Sequence, residues 1–362
     1  MISFWVTRAA SFGIKKYCEN RGRLIADRFQ PRFYDDIEDT VRLQGDAQIF
    51  SALDQLASPQ REVVAEIWDA HARIAPRAPR LNDPRQVLLR FDLLTKLHEQ
   101  GINTFRVFRA TSLRHVNRFP VFVRAIHTHD GPLTGLLRTR RDVAQAVRAL
   151  RFRGHRLRDL MIVEFCDTAS ADGLFRKYAA FKVGNSIIPC HVMVSHRWSV
   201  KSDANELDES RIREGIKYVE DNPHEAWLRK VFSVAETDYG RVDYGVLNGV
   251  PQVWEINLNP SIGRGIREQR HTVLAADLNT LREAGREIFH ARLRAAFVAL
   301  DGGSHASEAD VTIEKALITH VRAEASQSQR RLRVLGWLRW LYEHQRLGPP
   351  VRAVCAKLFP RR

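Results

Sequence analysis

The sequence predicts an α+β protein, from the order of its apolar runs and the helical stretches around them. Apolar runs of strand length recur between residues 159 and 257, at 159–166, 176–183, 186–194, 241–247 and 250–257. The last two are separated by Asn-Gly, a strong hairpin signal. A chain of 362 residues can form two or three domains. We expect a small N-terminal α/β domain over 1–80, a central α+β domain over 81–300 and a basic helical C-terminal extension over 301–362.

The composition excludes several classes of protein. With 44% hydrophobic and 27% charged residues, the chain is neither disordered, collagen-like nor disulfide-rich. No apolar stretch approaches the ~18 residues of a membrane span, and Arg8 interrupts the apolar N-terminus, so we expect no signal peptide. The four cysteines form no CxxC pair; they are Cys18, Cys166, Cys190 and Cys355. We expect isolated thiols in a reducing compartment, and hence a cytoplasmic location.

In the N-terminal domain, the apolar runs Ile2–Val6 and Gln48–Leu53 are predicted as strands. Ser58-Pro59 predicts the N-cap and first residue of a helix whose apolar positions lie within 62–68. The proline-rich segment 75–80 then predicts a linker.

In the central domain, Asp83-Pro84 is predicted to open a helix that ends near Gly101. A strand at 120–124 leads into a polar, glycine-containing loop at 127–132. Further helices are predicted by apolar positions at helical spacing, at 139–150 with Thr139 as the N-cap, twice within 206–238, and at 272–299.

The net charge is concentrated in the tail. The chain has 57 basic and 42 acidic residues, a net charge of +15. Residues 311–362 hold eleven Lys or Arg and three Asp or Glu, which is +8 of that excess. We expect helices at 311–326 and 330–346, the second with leucines on one face, two tryptophans beside them and arginines elsewhere. This helix could pack on the protein's own body, lie on a membrane surface or contact a partner protein; nucleic acid is the weakest alternative, and no nucleic-acid partner is expected.

The densest group of chemically capable residues lies on the predicted hairpin. Arg241 and Asp243 share one face of its first strand, and Glu255 and Asn257 share one face of its second. A two-residue Asn-Gly loop would separate Asp243 from Glu255, whereas a three-residue loop beginning at Leu247 would gather all four side chains. Two carboxylates and an amide oxygen together suit Mg²⁺ bridging phosphates. The alternative is a solvent-exposed polar face of an edge hairpin.

With three further segments, the hairpin resembles the ATP-grasp superfamily of ATP-dependent ligases, which includes D-alanine–D-alanine ligase, glutathione synthetase and ribosomal-protein glutamate ligases. The Arg-x-Asp and Glu-x-Asn strands within 241–260 are similar to its metal-binding hairpin, and 159–167 to the hinge that holds adenine. Residues 119–135 are similar to its phosphate-binding strand and loop, and Asn82-Asp83-Pro84 to its lead-in segment. The resemblance covers about 81–300 and implies an ATP-grasp fold, in which two α+β lobes clasp ATP.

The resemblance implies a role for each matching residue on the hairpin. Asp243, Glu255 and Asn257 would hold one or two Mg²⁺ ions, with Mn²⁺ as an alternative metal. Arg241 would be the catalytic residue, stabilising charge at the transferred phosphoryl and acyl group.

The resemblance also implies a set of ATP-binding residues, namely Arg124, Glu164, Phe165, Cys166, Asp167 and Lys201. The hinge residues would contribute mostly backbone hydrogen bonds to the adenine edge. Arg124 stands where the superfamily usually has Lys, and a guanidinium differs from an ammonium in geometry. Lys201 would either close on ATP from a flexible loop or be a plain surface lysine.

The implied chemistry is that of an ADP-forming carboxylate–amine ligase. ATP would phosphorylate a substrate carboxylate, and an amine or similar nucleophile would attack the acyl phosphate. Such a site works by positioning and charge neutralisation, which agrees with a sequence that lacks GxSxG, P-loop and HExxH motifs. The carboxylate substrate and the nucleophile stay unidentified. One alternative is an ATP-grasp protein that only binds nucleotide, and another is a basic membrane or nucleic-acid adaptor.

Overall fold

The computed structural model describes residues 1–128, 131–200, 206–262, 275–302, 308–314 and 318–319. Lys201, the loop residues His129 and Asp130, and the tail segment 330–346 lie outside the described residues. Among the helices that are described, none combines the length and apolar character needed to cross a membrane.

Helices and strands are interspersed along the described residues, which confirms the predicted mixed class. The helices are α1 (Phe12–Glu19), α2 (Ser58–Ile74), α3 (Arg90–Glu99), α4 (Arg140–Phe152), α5 (Glu209–Asp221), α6 (Glu225–Val234) and α7 (Ala276–Leu300). The strands are β1 (Ile2–Val6), β2 (Phe29–Phe33), β3 (Thr40–Gln44), β4 (Ala47–Phe50), β5 (Arg80–Leu81), β6 (Val107–Arg109), β7 (Val121–Ala125), β8 (Leu160–Glu164), β9 (Phe175–Val183), β10 (Ser186–Ser195), β11 (Tyr239–Leu247), β12 (Val250–Asn257) and β13 (Glu308–Thr312).

The N-terminal sheet is parallel, with strand order β2-β1-β4-β5. The predicted strand Ile2–Val6 is confirmed, and all of its residues are buried. The second predicted strand ends at Phe50, because Ala52 takes a left-handed conformation (φ 53°) that turns the chain. The rings of Trp5 and Phe50 stack with centroids 6.0 Å apart. Burial of such apolar surface stabilises this layer by roughly 25 cal/mol per Å².

The largest sheet is antiparallel, with strand order β10-β9-β11-β12. Helices α5 and α7 pack against β10 and against each other. On one face, the rings of Tyr178 and Tyr244 stack at 5.4 Å, and the Tyr244 hydroxyl lies 3.0 Å from the Tyr218 hydroxyl and 2.9 Å from Nδ1 of His224. Successive side chains of a strand alternate in direction, so Asp243 faces the other side from this aromatic layer.

A third sheet has the antiparallel order β6-β8-β7 and is covered by α4. Val123, Val143 and Ile162 form part of its fully buried core. The predicted cap of α4 is confirmed, because Oγ1 of Thr139 accepts the N–H of Asp142 at 3.1 Å. Strand β7 and helix α4 thus form where their apolar patterns predicted them.

Two predicted helix starts are wrong. The helix expected from Asp83-Pro84 begins only at Arg90, because the amide of Leu88 donates to the carbonyl of Ala235 instead of continuing a helical turn. The N-cap of α2 is Ala57 and not Ser58, and the Ala57 amide donates to Oε1 of Gln60 at 3.0 Å.

The helix predicted over 311–326 is also wrong at its beginning. Val311 and Thr312 belong to β13, which pairs antiparallel with β3 and sets Val311 opposite Val41. β-Branched residues favour a strand, and an ion pair between Arg42 and Glu308 supports the pairing.

The chain divides into two compact units. Among the described residues, those of unit 1 fall within Met1–Thr104 and Asp167–Glu314, and those of unit 2 fall within Phe105–Cys166 and Lys315–Arg362. The boundary between Cys166 and Asp167 falls within the segment predicted as a hinge. The domain boundaries expected near residues 80 and 300 stay predictions.

Candidate active site

The hairpin of β11 and β12 turns through two residues. Leu247 pairs with Val250, and Asn248 and Gly249 both have positive φ, 49° and 81°. Positive φ at both central residues is the pattern of a type I′ turn, which Asn-Gly favours. The three-residue loop beginning at Leu247 is therefore wrong.

A β-bulge at Trp254 nevertheless brings the four predicted side chains to one face. Tyr244 pairs with Val253, but the next pair is Asp243 with Glu255, so Trp254 is the extra residue. Arg241 then pairs with Asn257. Directly opposed residues of an antiparallel pair point to the same side, so the bulge does what the three-residue loop was expected to do.

Neighbouring side chains fit the bulge closely. A Cβ built on Gly245 would lie 2.5 Å from Cζ2 of Trp254, so the indole occupies space that only glycine leaves open. The buried Asn103 side chain holds Val253 with two hydrogen bonds. Its Nδ2 donates to the Val253 carbonyl at 2.9 Å, and its Oδ1 accepts the Val253 amide at 2.8 Å. These contacts fix the point at which the register changes.

Asp243 lies between two cations. Its carboxylate accepts hydrogen bonds from Nε (2.8 Å) and Nη2 (3.2 Å) of Arg241, and Nζ of Lys177 on β9 is 3.4 Å away. The Asp243 side chain is only 4% exposed. Burial alone would raise the pKa of Asp243, but the charges of Arg241 and Lys177 outweigh it and hold the pKa well below its usual range. Asp243 is therefore ionised.

Glu255 has its own cationic partner. Nη2 of Arg90, at the start of α3, donates to Oε2 of Glu255 at 2.7 Å, and the Arg90 side chain is 5% exposed. Sequence reasoning missed both Arg90 and Lys177. Each could have been noticed in the sequence as a basic residue at an inward-facing position of an otherwise apolar run. We call Lys177, Arg241, Asp243, Glu255 and Asn257 the carboxylate face.

Asn257 is oriented by the residue two positions later. Its Oδ1 accepts the amide of Asn259 at 2.9 Å, and Nδ2 of Asn259 donates to the carbonyl of Ala10 at 3.0 Å. An amide oxygen has two lone pairs. The Asn257 oxygen can therefore take a second partner without breaking this contact.

The donor atoms of the carboxylate face fit a divalent cation that is shared with phosphate. Carboxylate and amide oxygens are the ligands that Mg²⁺ prefers. Among the described residues, no three His, Cys, Asp or Glu side chains form a metal-binding group. Because each carboxylate also has a cationic neighbour, a free divalent ion would be repelled, and anionic phosphates are needed to offset that repulsion.

In unit 2, the predicted hinge residue Glu164 is bound within its own sheet. Its carboxylate, 1% exposed, accepts from Nε (3.0 Å) and Nη2 (2.6 Å) of Arg106, and Nε of Arg118 lies 3.5 Å away. The amides of Glu164 and Phe165 donate to the carbonyls of Arg106 and Pro120, each at 3.0 Å. Hydrogen bonds from these amides to adenine would have to replace those contacts.

The other predicted ATP-binding residues are spread over both units. Arg124 is buried on β7, where it pairs with Met161 of β8. The chain then returns alongside β7, and Pro132 forms an isolated antiparallel β-bridge with Arg124. Cys166 ends the first segment of unit 2. Asp167 begins the second segment of unit 1, and its Oδ1 accepts the amide of Ala169 at 3.2 Å.

Comparison with known proteins finds similarity at the level of solved structures. No protein-family model matches the chain, and no curated protein matches it. A RimK-domain ATP-grasp protein from Sphaerobacter thermophilus is 13% identical with a TM-score of 0.45, over 84% of this chain and 100% of that one. The D-alanine–D-alanine ligase from Coxiella burnetii is 12% identical with a TM-score of 0.47, over 90% and 98%. The ATP-grasp ligase PsnB, complexed with its minimal precursor, is 11% identical with a TM-score of 0.47, over 83% and 99%.

Two of these proteins are described as ATP-grasp, and the third is a ligase named in the sequence resemblance. At these identities and TM-scores, none of their activities or ligands is transferred to this chain.

Proposed function

We propose that the chain is an ATP-grasp ligase that activates a substrate carboxylate with ATP and joins it to an amine or similar nucleophile. The observation that carries the proposal is the carboxylate face, where Asp243 opposes Glu255 and Arg241 opposes Asn257. This set combines two carboxylates, an amide oxygen and two basic side chains. A site for phosphoryl transfer needs such donors for a metal and such charges for phosphate oxygens.

The proposed reaction has two steps. A carboxylate oxygen attacks the γ-phosphorus, the bond from that phosphorus to the β–γ bridging oxygen breaks, and ADP leaves with the electron pair. The amine then attacks the acyl carbon, the bond from that carbon to the phosphate oxygen breaks, and phosphate leaves while the amine loses a proton. Net products are an amide, ADP and phosphate.

Each residue of the carboxylate face has a proposed part in this reaction. Asp243, Glu255 and Asn257 would hold Mg²⁺, which when bound neutralises charge on the β- and γ-phosphates. Arg241 is the proposed catalytic residue, and Lys177 adds a second positive charge toward the transferred phosphoryl group. Arg90 acts as a positioning residue, because its ion pair orients Glu255.

The proposed ATP-binding residues are Arg124, Glu164, Phe165, Cys166, Asp167 and Lys201. One or two Mg²⁺ ions would serve, with Mn²⁺ as a substitute. A cytoplasmic location, expected from the isolated cysteines, agrees with the use of ATP.

Isosteric substitutions test the carboxylate face. Asp243→Asn and Glu255→Gln each remove a negative charge, so we expect the affinity for Mg·AMPPNP to fall at least about 10-fold, or ~1.4 kcal/mol. Titration calorimetry measures this, and Mg²⁺ without nucleotide should bind weakly to every variant. Matched controls are Asp221→Asn and Glu209→Gln, at exposed positions on α5 with partners Lys217 and Arg213. Unchanged Mg·AMPPNP affinity in both site variants would refute the proposal.

A second candidate function is nucleotide binding without ligation. Arg124 favours it, because a buried guanidinium stands where the superfamily usually has a lysine. This candidate predicts Mg·ATP binding with no ADP released across a panel of carboxylates and amines. ADP release that depends on both a carboxylate and an amine would eliminate it.

A further inference from the structure

A cavity of about 1000 Å³ opens within unit 1, next to the carboxylate face. Its walls come from α1, β10, α5 and α7, and Arg241 belongs both to this wall and to the carboxylate face. Six basic residues line it, namely Lys16, Arg21, Arg211, Arg241, Arg282 and Arg286. None of the described lining residues is Asp or Glu. We call this space the basic cavity; its volume is at the upper end of the ~300–1,000 Å³ typical of ligand pockets.

The positive charge of the basic cavity is only partly neutralised. Five of the six basic residues have acidic partners outside the lining: Lys16 pairs with Glu19, Arg211 with Glu206 and Asp208, and Arg241 with Asp243. Arg21 and Arg286 share Glu283, and Arg21 also pairs with Glu287. Arg282 makes no ion pair with any described residue. Burial, and then the charge of Arg286, lower the pKa of Arg282 to about 10. Two guanidiniums four residues apart on α7 are neighbours on one helix face, so an anion between them would relieve their repulsion.

Two histidines in the wall of the basic cavity each carry a ring nitrogen that could bind a ligand. Nε2 of His191 and Nδ1 of His290 are buried and have no hydrogen-bond partner among the described residues. Burial, reinforced by the charges of Arg241 and Lys177, lowers the pKa of His191 to about 3, so its ring is neutral. An unpartnered buried polar atom costs free energy unless a ligand or water satisfies it.

The cavity wall is suited to binding and not to covalent attack. Sγ of Cys190 lies 3.1 Å from Nδ1 of His191, a separation that could mark a catalytic pair. Burial raises the pKa of Cys190 to about 12, so the group is a neutral thiol beside a neutral imidazole.

We propose that the basic cavity binds the carboxylate substrate of the ligase, and that this substrate carries one or more carboxylates besides the one that is activated. The inference rests on the proposed function for the identity of the reacting group. Arg241 joins the two sites, so the reacting carboxylate lies at Arg241 and the others lie toward Arg282 and Arg286. Guanidinium groups bind carboxylates through paired, charge-assisted hydrogen bonds, and the neutral His191 offers a further polar contact.

The substrate class is tested without nucleotide, by titration calorimetry of the full chain at about 0.15 M salt, where long-range attraction is screened. The probes are butyrate, glutarate, tricarballylate and inorganic phosphate. We expect roughly 10-fold tighter binding with each added carboxylate, and phosphate weaker than tricarballylate. Equal affinity for butyrate and tricarballylate, no binding of any carboxylate, or tighter binding of phosphate would each overturn the inference.

Variants locate the binding site. Arg282→Gln and Arg286→Gln should each weaken tricarballylate binding at least about 10-fold, and Arg282→Lys should restore part of the loss because it restores the charge. Arg213→Gln is the matched control, since Arg213 is exposed on α5, pairs with Glu209 and does not line the cavity. Equal losses in the control and in the cavity variants would overturn the assignment.

The same wild-type preparation separates this inference from the proposed function. A protein that binds Mg·AMPPNP but no polycarboxylate contradicts the inference alone. A protein that binds tricarballylate but not Mg·AMPPNP contradicts the proposed function alone, and the basic cavity then stands as a polycarboxylate site.

Discussion

Asn82 joins distant parts of unit 1 through a single side chain. It is fully buried and has a positive φ of 69°. Its Oδ1 accepts the amides of Asp238 and Tyr239, both at 2.9 Å, and its Nδ2 donates to the carbonyls of Phe50 (3.1 Å) and Tyr239 (2.8 Å). The side chain therefore ties the end of β4 to the start of β11, the strand that carries Arg241 and Asp243.

Replacing Asn82 should be costly. Asn82→Ala removes the partner of the part-buried Asp238 amide and of three buried groups, the Tyr239 amide and the carbonyls of Phe50 and Tyr239. Each buried group left unsatisfied costs ~1–3 kcal/mol. We expect the free energy of unfolding, measured by urea denaturation, to fall by at least ~3 kcal/mol. Asn185→Ala, at an exposed turn, is the control and should change it by less than ~0.5 kcal/mol. Similar losses in the two variants would contradict this account of Asn82.

At the scale of single elements, strand β12 depends on the close approach of Trp254 to Gly245. A methyl group at 245 would lie 2.5 Å from the indole and 3.1 Å from Oγ1 of Thr168, so something must move. Overpacking of this kind typically costs ~1–3 kcal/mol. Because Trp254 precedes Glu255, a displaced indole also disturbs the carboxylate face.

Gly245→Ala is therefore expected to lower the free energy of unfolding by ~2 kcal/mol and to weaken Mg·AMPPNP binding. The matched control is Gly215→Ala on α5, where a Cβ would meet no heavy atom within 4 Å. That change should raise stability by up to ~1 kcal/mol, because alanine favours a helix over glycine. Thermal and urea unfolding of the two variants measure whether each change raises or lowers stability. A Gly245→Ala variant more stable than the wild type would show that the Trp254 indole does not pack against position 245.

Local patterns predicted the elements of this fold better than their junctions. The strands β9 to β12 and the cap at Thr139 follow from apolar alternation and short-range hydrogen bonding, which the sequence carries directly. The bulge at Trp254 does not follow from such patterns. Strand pairing that is counted outward from a turn assumes that each residue of one strand lies opposite a single residue of the other. The start of α3 depends on the distant carbonyl of Ala235, which no nearby residue indicates.

The candidate site was likewise predictable only in part. Arg241, Asp243, Glu255 and Asn257 could be found from their spacing on two adjacent strands. Arg90 and Lys177 contribute through contacts across the fold; Arg90 lies 165 residues from Glu255 along the chain. Pairings at such separations leave no periodic signature in a single sequence.

At the scale of the whole molecule, buried histidines should make stability depend on pH. Burial, with the charge of Arg21, lowers the pKa of His290 to about 4, and that of His191 is about 3. Unfolded histidine has a pKa of ~6.5. Between pH 6.5 and 4 the unfolded chain therefore binds protons that the folded chain does not, and stability falls as the pH falls.

We expect the free energy of unfolding to drop by about 2 to 3 kcal/mol between pH 6.5 and 4 from His290 alone. Urea denaturation at several pH values measures the slope. His290→Gln removes the titrating group and should flatten it, whereas His115→Gln, at an exposed position in unit 2, should leave it unchanged. A slope that is the same in wild type and His290→Gln would rule out this contribution.

Because of the β-bulge at Trp254, the number of residues between Asp243 and Glu255 decides whether the two carboxylates lie on the same face of the hairpin. In an uninterrupted ladder from the Asn248-Gly249 turn, Trp254 would sit across from Asp243 and Glu255 would point to the reverse side. Adding or removing two residues in the hairpin arms would preserve which side the acidic groups occupy. A change of one residue inverts it unless a second defect absorbs the difference. A relative that conserves both acidic residues therefore need not have them on one face. The number of residues between the two acids and the number of β-bulges between them must also agree.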